Sequence, residues 1–491
     1  MGLNYQSTRD ASHLVTSSIA VLQGLAPDGG LYVPTELPQI NLDFEKIAQQ
    51  SYQKTALQIM GPFLADFTEE ELKDCIQKAY DDKFDNELIT PIKKVGGKYY
   101  LELFHGPTLA FKDLALSILP YLMVTAAKKN KMEQEIVILT ATSGDTGKAA
   151  MEGFADVPNT QILVFYPQDG VSPIQKRQML TQKGANTFVC GIEGNFDDAQ
   201  TKVKELFSDE ELRQKMAAKG KVFSSANSIN IGRLVPQIVY YVYAYGQLIK
   251  EKQIRPGEEI NFSVPTGNFG DILAGYYAKK IGLPIRQLIC ASNQNKVLTD
   301  FFQTGTYDRR REFYVTSSPS MDILVSSNLE RLIFYLTQNN AAQTKTFMEK
   351  LQKEGNYTIT KDMQAALTGF AAGFATEDKT QSAIYHVYQK DEYVMDPHTA
   401  VASSVAADFA AETPTVILST ASPYKFPRVV LAAIQPASLK ADDFELIDQL
   451  SQLTKISIPA NVARLKTAKI RHHTCLPVTE MKDYLTKILE L

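Results

Sequence analysis

Three times along this chain a short strand-like run gives way to a turn rich in glycine and hydroxyl residues and then to an apolar stretch of helical period. The first runs from Lys98 to Phe104, turns at His105-Gly106-Pro107-Thr108 and continues as a helix-period stretch from Leu109 to Met123. The second is Ile136 to Ala141, the turn Thr142 to Gly147, and a helix opening at Lys148-Ala149-Ala150. The third is Ile260 to Pro265, the turn Thr266 to Asp271, and a helix from Ile272 to Ile281. Further strand-like runs near 162–166, 187–192, 285–291 and 414–419 alternate with helical segments. Parallel strands need a crossover between them, so this alternation predicts an α/β fold of parallel sheets covered by helices. No internal repeat is visible. The small-residue runs Ala366 to Ala375 and Ala400 to Ala411 suit closely packed helices.

The 491 residues exceed what one core usually serves, about 250–300 residues, so two or three domains are expected. With 44% hydrophobic and 22% charged residues the composition is that of a globular protein. A net charge of -4 without a long basic run argues against nucleic acid as a main partner, although a substrate site can still be locally positive. The longest apolar stretch, Leu114 to Ala127, contains Pro120 and is too short for a bilayer, which predicts a buried helix and no membrane partner. No secretory signal opens the chain, and Gln6 stands where myristoylation wants Ser or Thr. Cys75, Cys190, Cys290 and Cys475 are far apart and outside any CxxC pattern, so they are expected to be buried, reduced thiols of a cytoplasmic protein. His472-His473 has no carboxylate or cysteine at ligand spacing and reads as a solvated pair; no metal is expected.

Chemistry concentrates in the three turns. Lys112 falls in the first turn of its helix, where unsatisfied N–H groups and the positive end of the dipole disfavour an ammonium and favour a nucleophilic amine. A surface lysine near a helix start is the plainer alternative. The turn Thr142-Ser143-Gly144-Asp145-Thr146-Gly147 gathers hydroxyls and backbone N–H groups into an anion site. It is not a Walker loop, because Thr142 replaces the required first glycine and Ala149 the Ser/Thr after the lysine. In Thr266-Gly267-Asn268-Phe269-Gly270-Asp271 the glycines let the backbone approach a phosphate at a helix N-terminus; a tight turn with Asp271 as helix cap is the alternative. A reactive lysine, a carboxylate-sized loop and a phosphate-sized loop suit a cofactor that carries a phosphate and condenses with an amine, and pyridoxal phosphate meets that description. His105 could touch cofactor or substrate or simply satisfy its turn, and His398, after Asp396-Pro397, has a local duty at a helix start.

The motifs resemble the threonine synthases, a family within the β-family (fold type II) of pyridoxal-phosphate enzymes. The matching segments, in family order, are YQSTRD near residue 5, GLAPDGGLYVP from Gly24, LFHGPTLAFKD from Leu103, TATSGDTGKAA from Thr140 and VSPIQKRQM from Val171. They continue with SANSINIGRLVPQIVYY from Ser225, PTGNFGDILAG from Pro265, SMDI from Ser320, DPHTAVA from Asp396 and STASPYKFP from Ser419. The resemblance implies the fold type II architecture: two parallel-sheet domains with the cofactor between them and an N-terminal domain over 1–95. It divides the rest into a small α/β domain over 115–225, carrying the SGDTG loop, and a large one from 96–114 and 226–491, carrying Lys112, GNFG and STASP.

The resemblance also implies roles. Lys112 would hold the cofactor as a Schiff base and then move protons at the substrate's α and β carbons. Gly267, Asn268, Phe269 and Gly270 would hold the cofactor phosphate, and Thr420 would face its pyridine nitrogen. Ser143, Gly144, Asp145 and Thr146 would grip the substrate carboxylate, with the protonation of Asp145 open because many β-family enzymes carry Asn there. Asn227, Ser228 and Arg233, with Asn230 one turn before Arg233, would bind the phosphate of O-phospho-L-homoserine, and Lys176 and Arg177 are weaker candidates. The reaction implied gives L-threonine and phosphate, in a monomer or homodimer, without the S-adenosylmethionine activation of the plant type. The alternatives are a dehydratase or phospho-lyase using the same cofactor, a catalytically silent homologue, and a P-loop nucleotidase, against which Thr142 and Ala149 already weigh.

Overall fold

The computed structural model describes residues 2–142, 144–168, 171–409, 412–435 and 440–491. Its larger sheet has six strands in the order Phe370–Phe374, Ile285–Ser292, Ile260–Pro265, Thr415–Ser419, Lys98–Glu102 and Ile92–Val95. The first five are parallel. Ile92–Val95 pairs antiparallel with Lys98–Glu102 through a two-residue turn, Gly96-Gly97, in which both φ angles are positive. The central strand INFSVP is buried at every residue, as expected of a parallel strand covered on both faces. The smaller sheet has five parallel strands in the order Cys475–Pro477, Thr187–Glu193, Thr160–Pro167, Glu135–Ala141 and Lys221–Ser224.

The N-terminal region adds a three-stranded antiparallel sheet of Val15–Thr16, Asn4–Ser7 and Tyr32–Pro34, and helices of which the two longest are Tyr52–Phe63 and Glu69–Ala79. The second helix opens with the capping box of Thr68 and Glu71 that its sequence announces. This region has no core of its own: Tyr5, Tyr52 and Phe63 belong to one apolar cluster with Tyr241 and Phe262 of the larger sheet's layer. The helix Ile231–Lys250 is mostly apolar and buried from Ile231 to Leu248, with Arg233, Gln237 and Gln247 among its buried residues.

Four expectations change. Residues 366–375 are not a packed helix: after the helix Lys361–Ala365 the chain forms the edge strand Phe370–Phe374 of the larger sheet. The small residues serve a close approach there, since a Cβ on Gly373 would come within 2.8 Å of Val405 Cγ1 in the helix Pro397–Asp408. The segment 226–491 does not stay with the larger sheet: Cys475–Pro477 pairs with Thr187–Glu193, and the helix Met481–Leu489 packs on the smaller sheet through Met481, Leu485 and Leu489. Similarly Ile92–Val95, placed in the N-terminal region, is a strand of the larger sheet. Of the cysteines, Cys75, Cys190 and Cys290 are buried, whereas Cys475 is exposed on its short edge strand.

Topology already points to the site. Three adjacent strands of the larger sheet, Lys98–Glu102, Thr415–Ser419 and Ile260–Pro265, end in the Lys112 loop, in Thr420 and in the Gly267 turn. Carboxyl ends of parallel strands are where open α/β sheets bind ligands.

Candidate active site

Lys112 is placed by a clamped turn. A Cβ on Gly106 would lie 2.5 Å from Asp113 Cβ, so the turn folds this tightly only with glycine there. Asp113 accepts from the Thr108 backbone N–H at 2.8 Å and from the Thr108 hydroxyl at 2.6 Å. Leu109 carries a positive φ of 62°, so the helix begins at Lys112 rather than at Leu109. The loop is tied to its neighbour strand by Leu103 N–H to Ser419 O at 2.9 Å and Phe111 N–H to Thr420 O at 2.8 Å. These bonds fix buried Thr420 beside the lysine loop. Lys112 is 9% exposed. Burial is the largest cause that brings its ammonium down to about 8; Asp145 opposes the shift, and Lys425 and Arg233 add to it.

The second turn reaches Lys112 from the smaller sheet. Gly144 has φ of 146°, and a Cβ there would lie 2.6 Å from the Gln175 side chain. The Thr142 hydroxyl, which breaks the Walker pattern, accepts from the N–H groups of Gly144 and Gly147, both at 3.0 Å, and so shapes the loop. Ser143 lies outside the described residues, and Thr146 is half-buried in the first turn of the helix Asp145–Phe154. Asp145 Oδ2 is 3.9 Å from Lys112 Nζ. Its Oδ1 accepts from Gln175 Nε2 at 2.8 Å and from Lys425 Nζ at 2.7 Å. Lys425 is fully buried and also donates to Thr108 O at 2.9 Å. Burial alone would raise the Asp145 carboxyl, but Lys425 and then Lys112 outweigh it and hold the group well below the usual carboxylate range. Both lysines favour the ionised form of Asp145.

In the third turn Phe269 takes the left-handed conformation, φ 63°, with its ring buried near Phe302 and Phe370. A Cβ on Gly267 would stand 2.5 Å from Ser320 O. Ser326 donates its hydroxyl to Gly267 O at 2.7 Å, and Asn328 N–H donates to Asn268 O at 3.0 Å. The helix Gly270–Lys280 begins immediately, so its first N–H groups lie beside the glycine turn. Asp271 does not cap this helix. It accepts from Tyr240 and Tyr241 hydroxyls at 2.6 and 3.0 Å, and burial pushes its carboxyl up to about 6.

Arg233 is 3% exposed in the first turn of Ile231–Lys250. Its Nη1 donates to Ala226 O at 3.2 Å, its Nε has no partner, and among the described residues no carboxylate pairs with it. Burial pushes the guanidinium down to about 10. A buried guanidinium with a free donor is costly unless an anion completes it. Asn230, by contrast, is structural: it caps the helix through Gly232 N–H at 2.8 Å and donates to Val21 O and Ser225 O. Asn227 Oδ1 accepts from the Thr140 hydroxyl at 3.3 Å, and Ser228 O accepts from Asn328 Nδ2 at 3.1 Å.

Other candidates fall away. Lys176 and Arg177 donate to carbonyls of Gln168, Leu465 and Ala468. His105 bridges Asp85 at 2.5 Å and Glu102 at 3.0 Å and lines a separate cavity of about 540 Å³. Burial opposes its protonation, but Asp85 and Glu102 hold the imidazolium up to about 9. His472 Nε2 lies 3.1 Å from Gln182 O, and among the described residues no three His, Cys, Asp or Glu side chains could hold a metal ion.

Lys425 is the main residue that sequence reading missed, although it stands inside the quoted STASPYKFP motif. Arg331 is another. Fully buried, it donates to Tyr32 O at 2.9 Å and Ile229 O at 2.6 Å and bonds the Asn328 side chain, so it joins the N-terminal sheet to the Arg233 segment and the glycine turn. Arg9 and Thr8 of YQSTRD bind the adjacent Glu330, which accounts for that motif. Lys112 and Lys425 are buried together with Asp145, Asp113 and Asp271, whereas Arg233 has no carboxylate paired with it among the described residues, which leaves it the cation best suited to an anionic ligand.

A depressed lysine beside a glycine turn at a helix start, framed by two parallel sheets, suits an aldehyde cofactor anchored by its own phosphate. Fold and site together define a pyridoxal-phosphate-dependent enzyme of fold type II, and its cofactor is pyridoxal 5'-phosphate. Residues 4–80 match the family model for the threonine synthase N terminus, 86–420 that for pyridoxal-phosphate-dependent enzymes, and 399–473 that for the threonine synthase C-terminal region. Threonine synthase of Schizosaccharomyces pombe is 37% identical over 89% of this chain and 90% of its own. Human threonine synthase-like 1 is 39% identical over 85% of this chain, which spans 58% of that longer protein. The crystal structure of threonine synthase from Brucella melitensis with bound pyridoxal phosphate superposes with a TM-score of 0.89 at 37% identity, covering 100% of this chain and 99% of that one. The chain belongs to the threonine synthase family.

Proposed function

We propose that the protein converts O-phospho-L-homoserine and water to L-threonine and phosphate. The observation that carries the choice of substrate is Arg233, a buried guanidinium whose Nε has no partner and which has no carboxylate beside it among the described residues. A planar, permanently charged donor set in that position suits a dianionic phosphate.

Bound pyridoxal phosphate supplies an electron sink for the substrate's α carbon. The protein's own residues do the rest. Gly267, Asn268, Phe269 and Gly270 would hold the cofactor phosphate through the backbone N–H groups at the start of the helix Gly270–Lys280. The Thr420 hydroxyl would meet the pyridine nitrogen and, unlike a carboxylate, would leave it without a fixed negative partner. Ser143, Gly144, Asp145 and Thr146 bind the substrate carboxylate through N–H and hydroxyl groups, while Lys425 offsets the charge of Asp145. Asn227, Ser228 and Arg233 would bind and orient the substrate phosphate for departure. Lys112, at about 8, is close enough to neutrality to take a proton from carbon and return it. The two sheets act as a large and a small domain, the lysine coming from one and Asp145 from the other, so a small approach of the sheets closes the site.

The test is phosphate release from O-phospho-L-homoserine by cofactor-loaded protein with the amino-acid product identified. Stoichiometric threonine, lost in Lys112→Ala, is expected. Phosphate with 2-oxobutanoate would move the protein to a lyase, and no phosphate would refute the role of Arg233 first.

A further inference from the structure

Lys112 Nζ donates to the Ser320 hydroxyl at 3.3 Å. Ser320 sits in the short 3-10 turn Pro319–Met321, inside the SMDI motif, and its carbonyl is the atom that presses on Gly267. Its own backbone N–H donates to His398 Nε2 at 3.2 Å, and His398 Nδ1 is 2.6 Å from Asp396 Oδ2. His398 and Asp396 are 3% and 0% exposed. His398 thus does more than its helix-start position suggests: it reaches across to the loop that touches the reactive lysine.

The residue types are those of a hydrolytic triad, but the geometry is not. The imidazole accepts from the Ser320 backbone and not from its hydroxyl, so His398 cannot take the hydroxyl proton and Ser320 is not a nucleophile. An accepting Nε2 requires the proton to be on Nδ1, donated to Asp396, whose other oxygen is held by Thr399 N–H at 3.1 Å. Asp322 fixes the same loop from the other side by accepting from Asn293, Asn295 and Thr316. The Ser320 hydroxyl is therefore a rigidly mounted acceptor aimed at an amine that is otherwise on a flexible stem.

We propose that Ser320 is a positioning residue that receives the Lys112 amine whenever it is not bonded to cofactor, with His398 and Asp396 clamping Ser320 in place. The lysine must swing between cofactor and substrate carbon, and a fixed post next to the phosphate turn shortens its search. This rests on the reading of Lys112 as the proton-moving group, and the test separates the two.

In cofactor-free protein, Ser320→Ala removes an acceptor of the ammonium, so the midpoint of Lys112 acylation against pH falls by roughly half a unit. In cofactor-loaded protein, exchange of the α-hydrogen of L-threonine with D2O and kcat fall together by about 10- to 100-fold. KM and cofactor occupancy, read by borohydride-fixed mass on Lys112, stay within about threefold. Ser320→Thr restores most of the exchange, and His398→Gln combined with Ser320→Ala is no worse than Ser320→Ala alone. An unchanged acylation midpoint, wild-type exchange in Ser320→Ala, or a loss that merely follows lost cofactor would overturn the proposal. Wild-type protein that exchanges threonine but releases no phosphate would refute the proposed reaction while leaving Ser320 to be judged by exchange and acylation.

Discussion

The buried pair of Asp145 and Lys425 allows a sharp test, because replacing one partner and replacing both have opposite consequences. Lys425→Met leaves Asp145 in a dry site with Gln175 as its nearest donor and Lys112 at 3.9 Å. Breaking a buried pair typically costs about 3–5 kcal/mol, and the remaining donors place this one near the lower end, about 3 kcal/mol. Asp145→Asn together with Lys425→Met removes both charges and keeps an amide that can still bond Gln175, so the double variant should lie within about 1 kcal/mol of wild type.

The pH dependence has a definite sign. In wild type the folded carboxyl lies below its unfolded value, so its contribution is present above about pH 4 and is lost as the pH falls through the folded pKa. Removing Lys425 takes away the largest influence that lowers the Asp145 carboxyl and leaves burial opposed only by Lys112 and Gln175, so its folded pKa is expected to rise above the unfolded one. Lys425→Met should then lose stability as the pH rises from about 4 toward 7, the reverse of the wild-type term. Denaturant unfolding of the four cofactor-free proteins of the cycle, each at pH 5 and pH 8, measures this directly. Additive single effects, or a Lys425→Met protein as stable as wild type at pH 8, would refute the reasoning.

Gly267→Ala should lower cofactor affinity at least about tenfold with the fold retained, since the new methyl meets Ser320 O at 2.5 Å; cofactor titration by absorbance checks it. Arg233→Met should leave stability equal or higher, as a buried guanidinium disappears, while KM for O-phospho-L-homoserine rises about 100-fold or more in steady-state assays. The rate at which cofactor-free protein captures pyridoxal phosphate should climb about tenfold per pH unit and level off above about 8, where Lys112 is neutral; stopped-flow traces still rising at pH 10 would contradict the lowered lysine.

What was legible in the sequence was local. Strand, turn and helix periods placed the three loops, and Gly267 and Lys112 stand where those periods put them. Thr142, which breaks the Walker pattern, turns its hydroxyl inward to the N–H groups of Gly144 and Gly147 and so shapes the loop, a use that the spacing does not reveal. Lys425 was hidden because its partner comes from the other sheet, and no spacing within STASPYKFP encodes that meeting. Residues 370–374 carry the same lesson: the alanines favour a helix by propensity, and pairing with Leu288–Ser292 overrides that preference to make a strand. Cys475–Pro477 is three residues long and owes its conformation wholly to its neighbour.

That last strand bears on how the molecule comes to be folded. Thr187–Glu193 would be the open edge of the smaller sheet, a row of unpaired backbone groups next to apolar Phe165 and Cys190, and it is covered only by chain that lies nearly 300 positions further on. During synthesis the smaller sheet is therefore uncapped while the four later strands of the larger sheet, between Ile260 and Ser419, are being made. The nascent chain carries a sticky border that only its final segment closes, which makes this edge the place where chaperone binding or self-association should compete with correct assembly.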